Sequence, residues 1–171
     1  MRNNYILIGY MGCGKSTVGR RLAETLNYEF MDTDAWIEKC QGMTISEIFK
    51  LKGELYFRDL ETETLRELLE EDKEYVISVG GGVPLREENR RILRKLGKVI
   101  YLKAIPETIY NRIKGDVTRP LLQTANPKER ITEMLGDREE KYLAAAHEIV
   151  SVDGKDVSKV LDELMKIIKE S

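Results

Sequence analysis

The stretch Tyr5-Ile6-Leu7-Ile8-Gly9-Tyr10-Met11-Gly12-Cys13-Gly14-Lys15-Ser16-Thr17-Val18 runs a short apolar segment straight into the pattern G-x-x-x-x-G-K-[ST]. A helical pattern carrying Val18, Leu22 and Leu26 follows, so strand, loop and helix are predicted in the order that a phosphate-binding loop requires. Glycines let the main chain wrap closely around phosphates, loop amides and the helix N-terminus supply positive potential, and no side chain intrudes. Gly12, Cys13, Gly14, Lys15, Ser16 and Thr17 are therefore the expected nucleotide contacts, with Lys15 neutralising phosphate charge and Ser16 ligating Mg²⁺. Cys13 reads as a small filler of the loop rather than a reactive thiol.

Similar apolar runs recur at 28–31, 75–79, 99–102 and 149–152, with helical patterns between them. That rhythm predicts an α/β fold with a parallel sheet whose strands are covered on both faces. The clearest helices carry Val157, Val160, Leu161, Leu164, Ile167 and Ile168 on one stripe, and Phe57, Leu60, Leu65, Leu68 and Leu69 on another. Only 115–126 lacks a strong period, which marks it as a candidate mobile loop.

At 171 residues and 42% hydrophobic content, the chain is expected to form a single domain over 1–171. Lysine and arginine total 28 against 30 acidic residues, a balance that disfavours nucleic acid as a partner. No apolar run reaches membrane-spanning length, and Met1-Arg2-Asn3-Asn4 lacks a signal-peptide layout, so a cytoplasmic protein with no membrane partner is expected. Two cysteines and one histidine are too few for a disulfide framework or a typical structural zinc site. His147 has no nucleophile motif pointing to it and reads as structural or exposed.

Many phosphate-loop proteins end a second strand with an aspartate for the metal, but the run 75–79 leads into Gly80-Gly81-Gly82. The pair Asp32 and Asp34 follows the second strand instead, at a carboxyl end where open α/β sheets bind ligands. In an extended chain both side chains point the same way, so Asp32 could serve the magnesium and Asp34 an acceptor hydroxyl. Helix capping explains the same pair equally well, and both readings stand at this point. There is no N-K-x-D string for guanine, so transfer to an organic acceptor is favoured over a GTPase switch.

Taken with Phe57-Arg58-Asp59-Leu60-Glu61, Arg119-Pro120-Leu121-Leu122, and Arg138 followed four residues later by Tyr142, these elements closely resemble shikimate kinases along essentially the whole chain. The resemblance implies a three-layer P-loop kinase fold: a five-stranded parallel sheet of order 2-3-1-4-5, helices on both faces, a substrate-binding helical region at about 33–61 and a mobile lid at about 112–126. It implies transfer of the ATP γ-phosphoryl to the 3-hydroxyl of shikimate by a monomer using Mg²⁺. By the same resemblance Asp34 binds the ring hydroxyls and accepts the proton, while Arg58, Arg138 and Gly80, Gly81 and Gly82 hold the carboxylate and hydroxyls. Arg119 in the lid contacts phosphate, and Arg112 packs on adenine. Another small-molecule P-loop kinase and a non-catalytic nucleotide-sensing module are the competing readings.

Several features have plainer readings of their own. Arg58 and Glu61 fit a surface i,i+3 ion pair, and Phe49 and Phe57 at helical spacing fit a core as well as a pocket wall. The run Arg86, Arg90, Arg91, Arg94, Lys95 and Lys98 reads as a solvated helix face.

Overall fold

In the computed structural model, residues 3–116 and 123–171 are described. The strands are β1 (Asn4–Ile8), β2 (Glu29–Asp32), β3 (Tyr75–Ser78), β4 (Gly97–Lys103) and β5 (Glu148–Ser151). They form one five-stranded sheet of order β2-β3-β1-β4-β5, and every neighbouring pair is parallel. The helices are α1 (Lys15–Leu26), α2 (Thr33–Gln41), α3 (Ile45–Lys52), α4 (Glu54–Glu70), α5 (Glu87–Leu96), α6 (Pro106–Ile113), α7 (Pro127–Ala145) and α8 (Val157–Lys169). Helix α1 packs with α8, and α5 packs with α4 and α7; α1 and α5 both reach β1.

Double-sided cover explains the apolar runs of the inner strands. Ile6, Leu7, Ile8, Val76, Ile77, Val99 and Ile100 are all fully buried, each contributing about 2 kcal/mol of apolar transfer. The expectation of two covered faces fails for the edges: β2 is exposed at Glu29, and β5 at Ile149 and Ser151. An edge strand has a neighbour on one side only, so less of its surface meets helices. Ile37, Ile48 and Phe57 form a second, small core beneath α2, α3 and the start of α4, with Phe49 and Leu60 packed against it. That cluster positions the segment 33–61 over the sheet's carboxyl end.

Two isolated polar residues tie the opposite end of the sheet together. Buried Asn4 donates from Nδ2 to the Leu96 carbonyl at 3.0 Å and accepts from the Tyr75 amide at 2.8 Å. His147 is structural: its amide donates to the Val99 carbonyl at 2.8 Å and its Nδ1 accepts from the Val99 amide at 3.0 Å. Asn4→Ala leaves a buried carbonyl and a buried amide without these partners. It is expected to destabilise the fold by about 3 kcal/mol in urea unfolding, with kcat per folded molecule unchanged.

The basic run 86–98 is exposed at Arg91, Arg94 and Lys95, as a solvated face should be, and several of its cations also have partners. Arg86 pairs with Asp59 at 2.8 Å, Arg90 donates to the Pro84 and Leu85 carbonyls, and Arg94 donates to the Ala145 and Ala146 carbonyls. Lys98 lies 3.7 Å from Glu148, and Arg91 pairs with Glu87 on the exposed side. Carbonyls at helix and loop ends attract these cations, a tertiary effect that helical spacing does not reveal. Among the described residues no helix is long and apolar enough to cross a membrane.

Candidate active site

The chain leaves β1 for β2 on one side of the sheet and leaves β3 for β4 on the other, so the crevice between the carboxyl ends of β1 and β3 is the switch point. The glycine loop fills one wall of it. Gly14 turns the chain at φ +92° and α1 begins at Lys15, which aims the first helix amides into the loop. Lys15 Nζ donates to the carbonyls of Gly9 at 2.7 Å and Tyr10 at 3.1 Å, and lies 3.7 Å from Cys13 Sγ. Cys13 is buried, in line with its reading as filler.

The second wall is acidic. Asp32 is the N-cap of α2: Oδ1 accepts from the amides of Asp34 at 3.0 Å and Ala35 at 3.2 Å. Its other oxygen accepts from Ser16 Oγ at 3.0 Å. Capping and site membership are thus the same arrangement rather than alternatives. The extended alternation expected for the pair does not persist, because the chain is already helical at Thr33 and Asp34 lies in the first helical turn. Asp34 still joins the cavity, because α2 starts at its rim. Burial, and then the neighbouring Asp32 carboxylate, push the Asp34 pKa up to about 6, against the pull of Lys15 and Arg58.

Arg58 and Glu61 are not a surface pair. They meet at 2.7 Å with Glu61 only 1% exposed, and Arg58 also reaches Glu54 at 3.5 Å. The guanidinium lies 5.4 Å from the Phe57 ring centre and 6.0 Å from that of Phe49, so those aromatics serve both the small core and the arginine. Burial drives the Glu61 carboxyl up to about 7 despite the Arg58 charge and hydrogen bond that pull it down.

The glycine turn is where these groups meet. A Cβ on Gly80 would lie 2.8 Å from Asp34 Oδ1 and 3.0 Å from Glu61 Oε2, two buried oxygens without a hydrogen-bond partner among the described residues. A Cβ on Gly82 would overlap the Arg58 guanidinium, and one on Gly81 would lie 3.3 Å from Arg138 Nη1. Four side chains from three helices, Asp34 of α2, Arg58 and Glu61 of α4 and Arg138 of α7, thus converge on one turn, which stays open because it carries no side chains of its own.

Two cavities result. One, of about 300 Å³, is lined by the loop residues Gly12, Gly14, Lys15, Ser16 and Thr17 together with Asp32, Asp34, Gly80 and Gly81. Gly82, Arg58 and Arg138 are not part of that lining; Arg138 stands against Gly81, which is, and Arg58 against the next residue, Gly82. The other, of about 420 Å³, lies on the far side of the loop between Arg112, Cys13, Val152, Lys155 and Val157, and Arg112 donates to the Gly12 carbonyl at 3.4 Å. Arg119 lies outside the described residues.

Glu61 is the functional candidate that the sequence reading left out of the site. A signal for it exists: it occupies the apolar stripe of α4 with Phe57, Leu65 and Leu68, where a carboxylate is costly unless it is paired. For a metal, the hydroxyl of Ser16 and the carboxylate of Asp32 supply adjoining hard oxygen donors. Among the described residues no group of three or more acidic, histidine or cysteine side chains could hold an ion. That sparse donor set fits Mg²⁺, which keeps water and substrate phosphate oxygens in most of its positions.

Main-chain amides and a lysine on one wall with a carboxylate facing them across a small cavity suit phosphoryl transfer to an organic hydroxyl, which makes this a P-loop kinase of a small molecule. The family model described as shikimate kinase matches residues 11–169. The shikimate kinase of Persephonella marina is 44% identical over 169 residues, covering 99% of this chain and 100% of that one. That of Thermodesulfovibrio yellowstonii is 43% identical over 163 residues, covering 95% and 93%. Among solved structures, shikimate kinase from Acinetobacter baumannii in complex with shikimate superimposes with a TM-score of 0.91 at 38% identity, covering 98% of this chain and 93% of that chain. The chain belongs to the shikimate kinase family.

Proposed function

We propose that this enzyme transfers the γ-phosphoryl group of ATP to the 3-hydroxyl of shikimate, with residues 33–61 as the substrate-binding region and 112–126 as the lid. The observation that carries this reading is that Lys15 of the phosphate loop and Asp34 line one cavity whose remaining wall is the Gly80–Gly81 turn. Lys15 and the amides of Gly12, Cys13, Gly14, Ser16 and Thr17 hold the triphosphate, and Arg112 packs on adenine. Arg58 and Arg138 fork onto the shikimate carboxylate, and the glycine turn admits the ring. Asp34 orients the 3-hydroxyl. The 3-hydroxyl oxygen forms the new bond to the γ-phosphorus as the bond from that phosphorus to the β,γ-bridging oxygen breaks, the hydroxyl proton passes to Asp34, and ADP leaves.

Ser16 and Asp32 would hold Mg²⁺, which when bound neutralises phosphate charge. Arg119 would add positive charge over the phosphoryl group from the lid. We place the enzyme in the cytoplasm as a monomer, acting on small molecules and not on nucleic acid.

ADP formation followed in a coupled assay tests the reading. Release that depends on added shikimate supports it, whereas equal release with gluconate, with AMP, or with no acceptor at all overturns it. A narrower expectation concerns Gly82→Ala, whose methyl group displaces the Arg58 guanidinium. KM for shikimate should rise about tenfold or more, as expected when a charge-assisted contact is lost, with KM for ATP within about twofold.

A further inference from the structure

Arg58 and Arg138 are held in different ways. Both stand over aromatic rings, but Arg58 is also locked by carboxylates, Glu61 at 2.7 Å and Glu54 at 3.5 Å. Among the described residues no carboxylate pairs with Arg138. Its guanidinium carbon instead stands 5.5 Å from the ring centre of Tyr10, the residue that follows the first glycine of the phosphate loop. Tyr10 is 1% exposed, so its ring is a fixed surface.

The contact belongs to a built face of α7. Met134, Arg138 and Tyr142 recur every four residues and so share one side of the helix. The Tyr10 hydroxyl donates to Met134 Sδ at 3.4 Å, one turn before Arg138. One turn beyond it, the Tyr142 hydroxyl donates to the Gly81 carbonyl at 2.8 Å. Burial pushes the Tyr142 pKa up to about 12, and the nearby Arg138 charge holds it back.

An aromatic face attracts a guanidinium without using its in-plane N–H groups, whereas a carboxylate partner occupies them. An arginine held this way is fixed in direction and keeps donors free for an incoming carboxylate. We infer that Tyr10 is a positioning residue for Arg138: its ring orients the guanidinium toward the Gly81 turn for the acid group of the substrate. This rests on the proposed role of Arg138 in binding that carboxylate. The carbonyl of the same Tyr10 accepts from Lys15 Nζ at 3.1 Å, so the phosphate-binding cation and the acid-binding cation are both set by one residue, through its main chain and its side chain respectively.

Side-chain replacement at Tyr10 separates these functions. Tyr10→Leu is expected to raise KM for shikimate about tenfold, the scale of a desolvated cation–π contact, with kcat and KM for ATP within about twofold. Tyr10→Phe keeps the ring and should restore KM for shikimate to near the wild-type value. In an Arg138→Met background, Tyr10→Leu should change KM for shikimate no further. Should Tyr10→Leu fail to fold, Tyr10→Met serves in its place, with folding checked by circular dichroism.

The inference is overturned if Arg138→Met raises KM for shikimate while Tyr10→Leu does not, if Tyr10→Phe is as impaired as Tyr10→Leu, or if the two substitutions add independently. An Arg138→Met enzyme with unchanged KM for shikimate overturns the role of Arg138 itself, and this inference with it. Wild-type enzyme that does not phosphorylate shikimate at all instead removes the functional reading on which both stand.

Discussion

Asp34→Asn is expected to lower turnover by roughly 10²–10⁴-fold, the range lost with a positioned proton acceptor, and at the same time to make the folded enzyme more stable at pH 8. The two effects have one cause. Asp34 is held with its pKa near 6 rather than 3.8 by burial and by Asp32. Between those values the folded protein keeps a proton that the unfolded chain has lost, so the Asp34 contribution is full below pH 3.8 and is lost as pH rises through about 6. Above pH 7 the ionised carboxylate costs about 3 kcal/mol, which an uncharged asparagine avoids.

The melting temperature of Asp34→Asn should therefore match that of the wild type at pH 4 and exceed it at pH 8. In the wild type, kcat/KM for shikimate should fall as the pH drops through about 6, while the residual activity of the variant lacks that acid limb. A folded variant with wild-type turnover would remove Asp34 from the mechanism.

Lys15→Met is expected to reduce kcat by about 10³-fold, because in the proposed reaction its side chain carries fixed positive charge beside the transferring phosphoryl group. Shikimate binding should persist at pH 8, since Asp34, Arg58 and Arg138 are retained. Trp36 on α2 is the single tryptophan and supplies an intrinsic fluorescence signal for that titration. Lys15 also pulls the Asp34 pKa down, so its loss should shift the pH dependence of shikimate binding upward. Loss of shikimate binding at pH 8, with the fold intact, would mean that Lys15 organises the acceptor half of the site as well.

The phosphate loop was legible because its signal is local. Gly12, Gly14 and Lys15 act through backbone shape and helix start, which neighbouring residues determine almost unaided. Asp32 was legible only as a choice between cap and ligand, since one carboxylate has two oxygens and the structure uses one for each purpose. For Asp34 the conditional route through an extended chain does not apply, because α2 begins at Thr33, and the residue reaches the cavity from the first helical turn instead. Arg58 and Glu61 looked like an ordinary exposed pair because i,i+3 spacing is identical on a wet and a dry face. On α5, Arg91, Arg94 and Lys95 are exposed as their spacing suggests, whereas the carbonyl acceptors of Arg90 and Arg94 lie on other segments and leave no mark on that spacing.

What the amino-acid order determined alone, then, is the alternation of buried strands and amphipathic helices and the glycine-built anion cradle, both consequences of contacts within about a dozen residues. Tertiary structure decided which charges share a cavity. Asp34, Glu61, Gly80 and Arg138 come from four separate segments, and the protonation of the two acids depends on burial and on distances that exist only after the sheet has brought those segments together. Electrostatic energy inside a protein follows separation and exposure rather than chain position.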